Sequence, residues 1–201
     1  MSALVIDGHP NPDSLTSALA RRYADAHGDA RLLAVRDLDF DPILHQGYVG
    51  DQTLEPDLRR ALDDLLSADH VAIATPIWWA STPALLKGLL DRILIPKVTY
   101  RYRPNGFPEG LLRGRTGRIL MTCDSPRWFL ALSGDPAVKA LKRQTMQFCG
   151  IRPVRLTRFT NVRHADEARR ASWLDRAAVD GSADACRGVQ EVSRTGPLVR
   201  A

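Results

Sequence analysis

Two adjacent tryptophans follow one of the most apolar runs of the chain. The run Val71-Ala72-Ile73-Ala74 is typical of a buried parallel strand, and Pro76-Ile77-Trp78-Trp79 comes directly after it. Ligands of open α/β sheets lie at the carboxyl ends of the strands, so both indole rings are placed to contact a flat bound ring. The alternative is that both tryptophans pack against the next helix, which begins near Thr82, because tryptophan is often a core residue.

A second polar loop follows the first predicted strand and reads Gly8-His9-Pro10-Asn11-Pro12-Asp13-Ser14-Leu15-Thr16-Ser17. Its hydroxyl residues cluster where a helix begins. Unpaired amides at a helix N-terminus bind phosphate, hydroxyls there add donors, and His9 can supply another hydrogen bond or a charge. The alternative is ordinary N-capping by Ser14.

A repeating strand–helix pattern positions these loops. Strands are predicted at residues 3–6, 31–35, 70–74, 118–122 and 153–159, and helices at 14–27, 58–66, 82–93, 136–149 and 164–178. This pattern predicts an α/β three-layer sandwich with a five-stranded parallel sheet in the flavodoxin-like order 2-1-3-4-5. The first strand is not followed by G-x-G-x-x-G, which argues against a six-stranded dinucleotide-binding fold. We expect one domain over residues 1–179 and a flexible tail over 180–201.

Composition narrows the classes of function. The 201 residues carry a net charge of +5, but the arginines are spread along the chain and form no basic run with interleaved aromatics, so a nucleic-acid partner is not expected. No segment has the length or apolar character of a membrane span, and no signal peptide is evident. The three cysteines have no paired spacing, which fits reduced thiols better than a disulfide or zinc site. We therefore expect a cytoplasmic protein without a metal.

Several motifs in this order resemble one family. Gly-His-Pro with Ser14 after the first strand, Phe40-Asp41-Pro42-Ile43-Leu44, Pro76-Ile77-Trp78-Trp79 and Pro83-Ala84-x-Leu86-Lys87-Gly88-x-x-Asp91-Arg92 are similar to motifs of the flavodoxin-like NAD(P)H:quinone oxidoreductases. The resemblance covers roughly residues 3 to 175. It implies a homodimer that binds FMN or FAD non-covalently and passes a hydride from NAD(P)H through flavin N5 to a quinone or another small acceptor. Flavin N5 then carries the chemistry, and no side chain is expected to be catalytic.

The same resemblance implies which residues bind the cofactor. His9, Ser14, Leu15 and Thr16 match the loop that holds the flavin phosphate. The second loop, which holds the isoalloxazine ring, corresponds to Pro76, Ile77, Trp78 and Trp79. The third loop corresponds to Thr122, Cys123, Asp124 and Ser125.

The third loop departs from the family, which usually has Thr-Thr-Gly-Gly there. Asp124 and Ser125 replace the glycines and would bring side chains and a charge near the ring, where glycine allows close backbone approach. Asp124 could alternatively cap the segment after Ser125. The form of this loop resembles a bacterial branch of the family. It lacks the tyrosine and histidine of the animal enzymes' substrate pocket, so Trp128 and Phe129 are the predicted pocket wall, with plain packing as the alternative.

Two other kinds of function stay open from the sequence. The first is a flavodoxin-like electron-transfer or ancillary regulatory protein with little turnover. The second is a binding module that keeps the fold and has lost the flavin through the change at Asp124 and Ser125.

Overall fold

The strands form one parallel sheet and one separate hairpin. The computed structural model describes residues 1–50 and 52–195, with side chains as far as residue 186. The strands are β1 (Ala3–Asp7), β2 (Ala30–Ala34), β3 (His70–Pro76), β4 (Tyr100–Tyr102), β5 (Pro108–Gly110), β6 (Thr116–Cys123) and β7 (Val154–Thr160). The parallel sheet has the order β2-β1-β3-β6-β7, which confirms the predicted flavodoxin-like order. Its central strands β3 and β6 are buried along their whole length because helices cover both faces.

Helices cover the two faces of this sheet in two separate groups. They are α1 (Leu15–His27), α2 (Pro56–Ser67), α3 (Ala84–Ile93), α4 (Arg127–Leu132), α5 (Pro136–Val138) and α6 (Glu167–Thr195), and a π-helix over Lys139–Met146 continues α5. Leu4 and Ile6 of β1 belong to the core formed with α2, α3 and the π-helix. Val5 points to the opposite face and packs with α1 and α6, as the alternation of side chains along a strand requires.

Three features between α3 and β7 differ from the prediction, and the first is the short helix α4, which was not predicted. Residues 100–114, for which no strand was predicted, contain the antiparallel hairpin of β4 and β5. The helix predicted over 136–149 is mostly a π-helix, in which the amide of Gln147 donates to the carbonyl of Lys142 at 2.9 Å. Hydrophobic periodicity places a helix there but does not separate a π-helix from an α-helix.

The last helix is longer than predicted. It runs from Glu167 to Thr195, and Asp180 and Asp184 are buried in it, so the predicted end at residue 178 was wrong. Gly181 explains how this part of the helix packs: a Cβ atom there would lie 2.3 Å from the carbonyl oxygen of Tyr23 in α1. The predicted tail over 180–201 therefore begins inside a helix, and its residues 196–201 lie outside the described residues.

The described residues contain no helix that is both long enough and apolar enough to cross a membrane. Cys123 and Cys149 are buried, Cys186 is exposed, and all three are free thiols.

Candidate functional site

A crevice of about 340 Å³ opens at the carboxyl edge of the sheet, the edge at which open α/β folds bind ligands. Its walls are the loops after β1, β3 and β6 and the turn after β7. The lining residues are His9, Asp13, Ser14, Leu15, Thr16, Pro76, Ile77, Trp78, Thr122, Cys123, Asp124, Val162 and Arg170. The structure thus brings together ten of the twelve residues predicted to bind a cofactor, and Trp79 and Ser125 are not among the lining residues.

The start of α1 supplies backbone donors to this crevice. Ser14 is the N-cap, and its Oγ accepts a hydrogen bond from the amide of Ser17 at 3.1 Å. The amides of Leu15 and Thr16, the first two of the helix, face no carbonyl within the helix. Both residues line the crevice, so N-capping by Ser14 and anion binding by the first turn are compatible in this loop.

His9 has a defined hydrogen-bonding state. Its Nδ1 accepts from the amide of Asn11 at 3.0 Å, so Nε2 carries the proton of the neutral ring. Burial lowers the pKa of His9 below its ordinary value, which keeps the ring neutral at physiological pH. The ring stands edge-on to Trp78, with 5.4 Å between ring centroids. His9 therefore offers one N–H donor and no charge.

The two adjacent tryptophans have different positions. Trp78 is half-exposed and lines the crevice, whereas Trp79 is fully exposed. A tight turn separates them from α3: the amide of Trp78 donates to the carbonyl of Ser81 at 2.9 Å, the reverse bond has the same length, and Trp79 and Ala80 adopt positive φ angles of 50° and 60°. The amide of Trp78 is thus occupied, and this residue offers the crevice its ring.

The loop after β6 is tied to two neighbouring elements. The hydroxyl groups of Thr122 and Thr16 are hydrogen-bonded at 2.7 Å, which joins this loop to α1. The carboxylate of Asp124 accepts from the amide of Arg163 at 2.7 Å, which joins it to the turn after β7. Asp124 is therefore a link between loops and not a cap on the segment after Ser125. Burial raises the pKa of Cys123, so this lining residue is a neutral thiol.

The wall that follows β7 was not predicted from the sequence. Val162 and Arg170 line the crevice there. Nε of Arg170 donates to the carbonyl of Ala165 at 3.1 Å, and Nη2 donates to the carbonyl of Val162 at 3.3 Å. These bonds hold a cation at the rim of the crevice. No local motif marks the residue, because its place depends on how α6 packs on the sheet.

The predicted substrate wall lies outside the crevice. Trp128 and Phe129 belong to the short helix α4, contact each other edge-on at 5.9 Å between centroids, and are 68% and 47% exposed. Neither is a lining residue, and neither is packed into the core of the described chain, so the structure supports neither of the two predicted roles within one copy.

The crevice has two chemically different parts. Backbone amides, the His9 N–H and the Arg170 guanidinium suit an anion, whereas Trp78, Ile77 and Pro76 present an aromatic and apolar surface. Its volume lies within the usual range of small-molecule sites. A phosphorylated planar ring has both of these properties, so the residues present fit a flavin nucleotide.

Comparisons with known proteins agree with this description. A family profile described by its flavodoxin-like fold matches residues 1–179. An FMN-dependent NADH:quinone oxidoreductase of Methylorubrum populi is 31% identical over 204 residues, which cover 89% of this chain and 98% of the relative. An uncharacterized NAD(P)H oxidoreductase of Haemophilus influenzae is 28% identical over 188 residues, with 89% and 93% covered. The crystal structure of Smu.1420 from Streptococcus mutans UA159 superposes with a TM-score of 0.79 at 28% identity and covers 91% of this chain and 100% of that one.

Proposed function

The chain belongs to the family with the flavodoxin-like fold, and from this premise we propose that it is an FMN-dependent NAD(P)H:quinone oxidoreductase. The observation that supports this most is the crevice: ten residues that the family resemblance assigns to the cofactor meet there, although they come from three separate loops. The Methylorubrum relative, which this chain covers over 98% of its length, is named an FMN-dependent NADH:quinone oxidoreductase.

Each part of the crevice has a role in this proposal. The amides of Leu15 and Thr16 and the Nε2–H of His9 would hold the phosphate, because these three residues line the same crevice at the start of α1. Trp78 and Ile77 would contact the ring. Arg170 would supply positive charge to an anionic group of the cofactor. The buried Thr16–Thr122 hydrogen bond holds the first and third loops together beneath it.

A bound flavin would supply the redox chemistry, which is hydride transfer from NAD(P)H to an acceptor. The protein's own contribution is to bind, orient and partly exclude water. The proton that accompanies the hydride to a quinone would come from solvent, because burial raises the pKa of the Cys123 thiol and the Asp124 carboxylate accepts a hydrogen bond from the amide of Arg163.

Flavin titration tests the proposal. Purified protein mixed with FMN or FAD and passed over a desalting column should retain a yellow chromophore and oxidise NADH or NADPH with benzoquinone as acceptor. Arg170→Met should weaken flavin binding about tenfold, through loss of one charged contact. The matched control is Arg169→Met, because Arg169 is the neighbour in α6 and lies over the ring of Trp173 at 5.1 Å. It should change the Kd less than about twofold.

The other outcomes are also informative. Protein that takes up neither flavin would overturn the proposal and support a binding module without the cofactor. Protein that binds flavin tightly and turns over NAD(P)H slowly with every acceptor would support an electron-transfer or ancillary role instead.

We also propose that the enzyme acts as a cytoplasmic homodimer, as the family resemblance implies. The exposed aromatic side chains Trp79, Trp128 and Phe129 give a second copy an apolar surface to cover. Sedimentation of the flavin-loaded protein should show a dimer, and Trp128→Ser should shift it toward the monomer. A monomer at all concentrations would contradict this part.

A further inference from the structure

One buried ion pair lies directly behind the crevice. Asp7 is the last residue of β1 and is completely buried. It is the one charged residue of this strand, and the other residues are apolar. A buried carboxylate is costly unless it is paired and hydrogen-bonded. Its partner is Arg36, whose Nη1 donates to Oδ2 of Asp7 at 2.6 Å, and whose side chain is only 14% exposed.

The Asp7–Arg36 pair forms hydrogen bonds with both polar backbone groups of His9. The amide of His9 donates to Oδ1 of Asp7 at 3.1 Å, and the carbonyl of His9 accepts from Nη1 of Arg36 at 3.1 Å. One residue is thus fixed from two sides by a single ion pair. Since neither Asp7 nor Arg36 lines the crevice, the pair acts on the loop and does not itself contact a ligand.

The same arginine reaches the start of α1. Nη1 of Arg36 lies 3.3 Å from Oγ of Ser17, and the amide of Ser17 donates to the capping hydroxyl of Ser14. The hydroxyl of Ser17 also donates to the carbonyl of Asn11 at 3.1 Å. The pair is therefore connected to both sources of donors at the phosphate end, the His9 ring and the first turn of α1.

We propose that Asp7 and Arg36 are positioning residues that preset the phosphate end of the crevice, so that the protein selects phosphorylated flavins over riboflavin. The inference rests on the proposed function. A charge-assisted pair behind the loop keeps the donors in place before the ligand arrives, and preorganised donors bind more tightly than donors that must be ordered on binding.

Binding of FMN and riboflavin by each variant tests this proposal. Arg36→Met removes the guanidinium and keeps its apolar stem, and Asp7→Asn keeps the shape of the side chain. Each should raise the Kd for FMN about tenfold or more, and the Kd for riboflavin less than about twofold. Arg36→Lys should recover part of the FMN affinity. Arg31→Met is the matched control, because Arg31 pairs with Asp64 and is 59% exposed; it should change neither Kd.

A second measurement needs no flavin. In the apo protein, Arg36→Met should speed hydrogen exchange at the amides of His9 and Ser17 and leave exchange at Trp78 unchanged, because the indole loop is held by its own bonds to Ser81.

The results separate two failures. If wild-type protein binds neither flavin, the proposed function fails and this inference fails with it. If wild-type protein binds FMN but Arg36→Met weakens FMN and riboflavin equally, or weakens neither, the positioning role is wrong and the proposed function stands.

Discussion

At the carboxyl edge of the sheet, polar groups of three loops face an open crevice, whereas at the amino edge the polar groups of β3, β6, α1 and α6 face one another. Tyr23, His70, Arg118, Asp180 and Asp184 are each less than a tenth exposed at that closed edge. The contrast shows how one fold uses polar residues in two ways. At the closed edge the polar groups satisfy one another and hold elements together, whereas at the open edge the first amides of α1 and Nε2 of His9 have no partner among the described residues and are available to a ligand.

The closed edge contains a directional chain of hydrogen bonds. The hydroxyl of Tyr23 donates to Oδ2 of Asp184 at 2.9 Å, so it accepts from Nε2 of His70 at 2.9 Å. Nδ1 of His70 must then accept from the hydroxyl of Thr116 at 2.6 Å. Burial lowers the pKa of His70 and keeps its ring neutral, so this chain of hydrogen bonds fixes the tautomer of the ring and joins α1, β3, β6 and α6.

Arg118 is the charge centre of this edge. Its Nε and Nη2 donate to the two carboxylate oxygens of Asp184 at 2.5 and 3.1 Å, and Nη1 lies 3.2 Å from Asp180. Such a bidentate pair is strong, but its stability depends on both partners being present.

Arg118→Met should have the largest effect on stability. It leaves Asp180 and Asp184 buried beside a lost partner, so we expect the free energy of unfolding to fall by about 3–5 kcal/mol. Urea unfolding of the apo protein measures it. Arg60→Met is the control, because Arg60 is 62% exposed in its pair with Asp57, and it should cost less than about 1 kcal/mol. Equal losses of unfolding free energy in both variants would show that the buried polar groups of the closed edge contribute no more to stability than an exposed ion pair.

The second-largest expected effect is a loss of stability at low pH, which comes from the closed edge. Burial lowers the pKa of His70 to about 4, whereas the unfolded chain takes up this proton near pH 6.5. The stability that neutral His70 contributes is therefore complete above pH 6.5 and is lost as the pH falls toward 4. His70 alone should account for about 2 kcal/mol at pH 5. Unfolding in urea at pH 7, 6 and 5 checks this, and a flat profile would refute it.

His27→Phe should recover part of the stability that the protein loses at low pH. The ring of His27 is buried and stacks near Tyr23 and His70, and neither ring nitrogen has a partner among the described residues. Burial also lowers the pKa of His27. We expect the variant to gain about 1–2 kcal/mol at pH 7, because two unsatisfied ring nitrogens are removed, and to gain more at pH 5, because burial disfavours the proton that His27 takes up in the unfolded chain. A loss at both pH values would mean that His27 has a partner or a packing role that phenylalanine cannot fill.

Ser14→Ala should have the smallest effect on folding and a visible one on binding. Loss of the N-cap costs about 1 kcal/mol, because the amide of Ser17 loses its acceptor, and the first turn of α1 that carries the phosphate donors becomes less well ordered. We expect weaker FMN binding together with this modest loss in urea unfolding. Ser172→Ala on the exposed side of α6, where the hydroxyl donates only to the carbonyl of Arg169, should change neither quantity. Unchanged FMN affinity in Ser14→Ala would indicate that the cap is structural only.

The sequence predicts the fold well where local patterns decide it. Apolar runs mark the strands, and the strand–helix alternation leaves few possible sheet orders. The same reasoning fails at α6, because Asp180, Gly181 and Asp184 have the composition of a tail. Their partners, Arg118 and Tyr23, are more than 60 positions away in the chain, and no periodicity reveals such a pairing.

The candidate site likewise contains some residues that the sequence predicts and others that it does not. The loops after β1, β3 and β6 carry motifs that can be recognised one at a time. Asp7, Arg36 and Arg170 carry none, because their roles depend on neighbours that only the folded chain brings close. Asp7 had one available signal, a lone charge at the end of an apolar strand.

The long final helix has a consequence for where this folding unit ends. The match to the family profile stops at residue 179, and Asp180, Gly181 and Asp184 come immediately afterwards. A chain cut at that boundary would lose both carboxylates that neutralise Arg118 and the glycine that lets α6 approach α1. The segment that matches the family profile is therefore shorter than the segment that the polypeptide needs in order to stay folded.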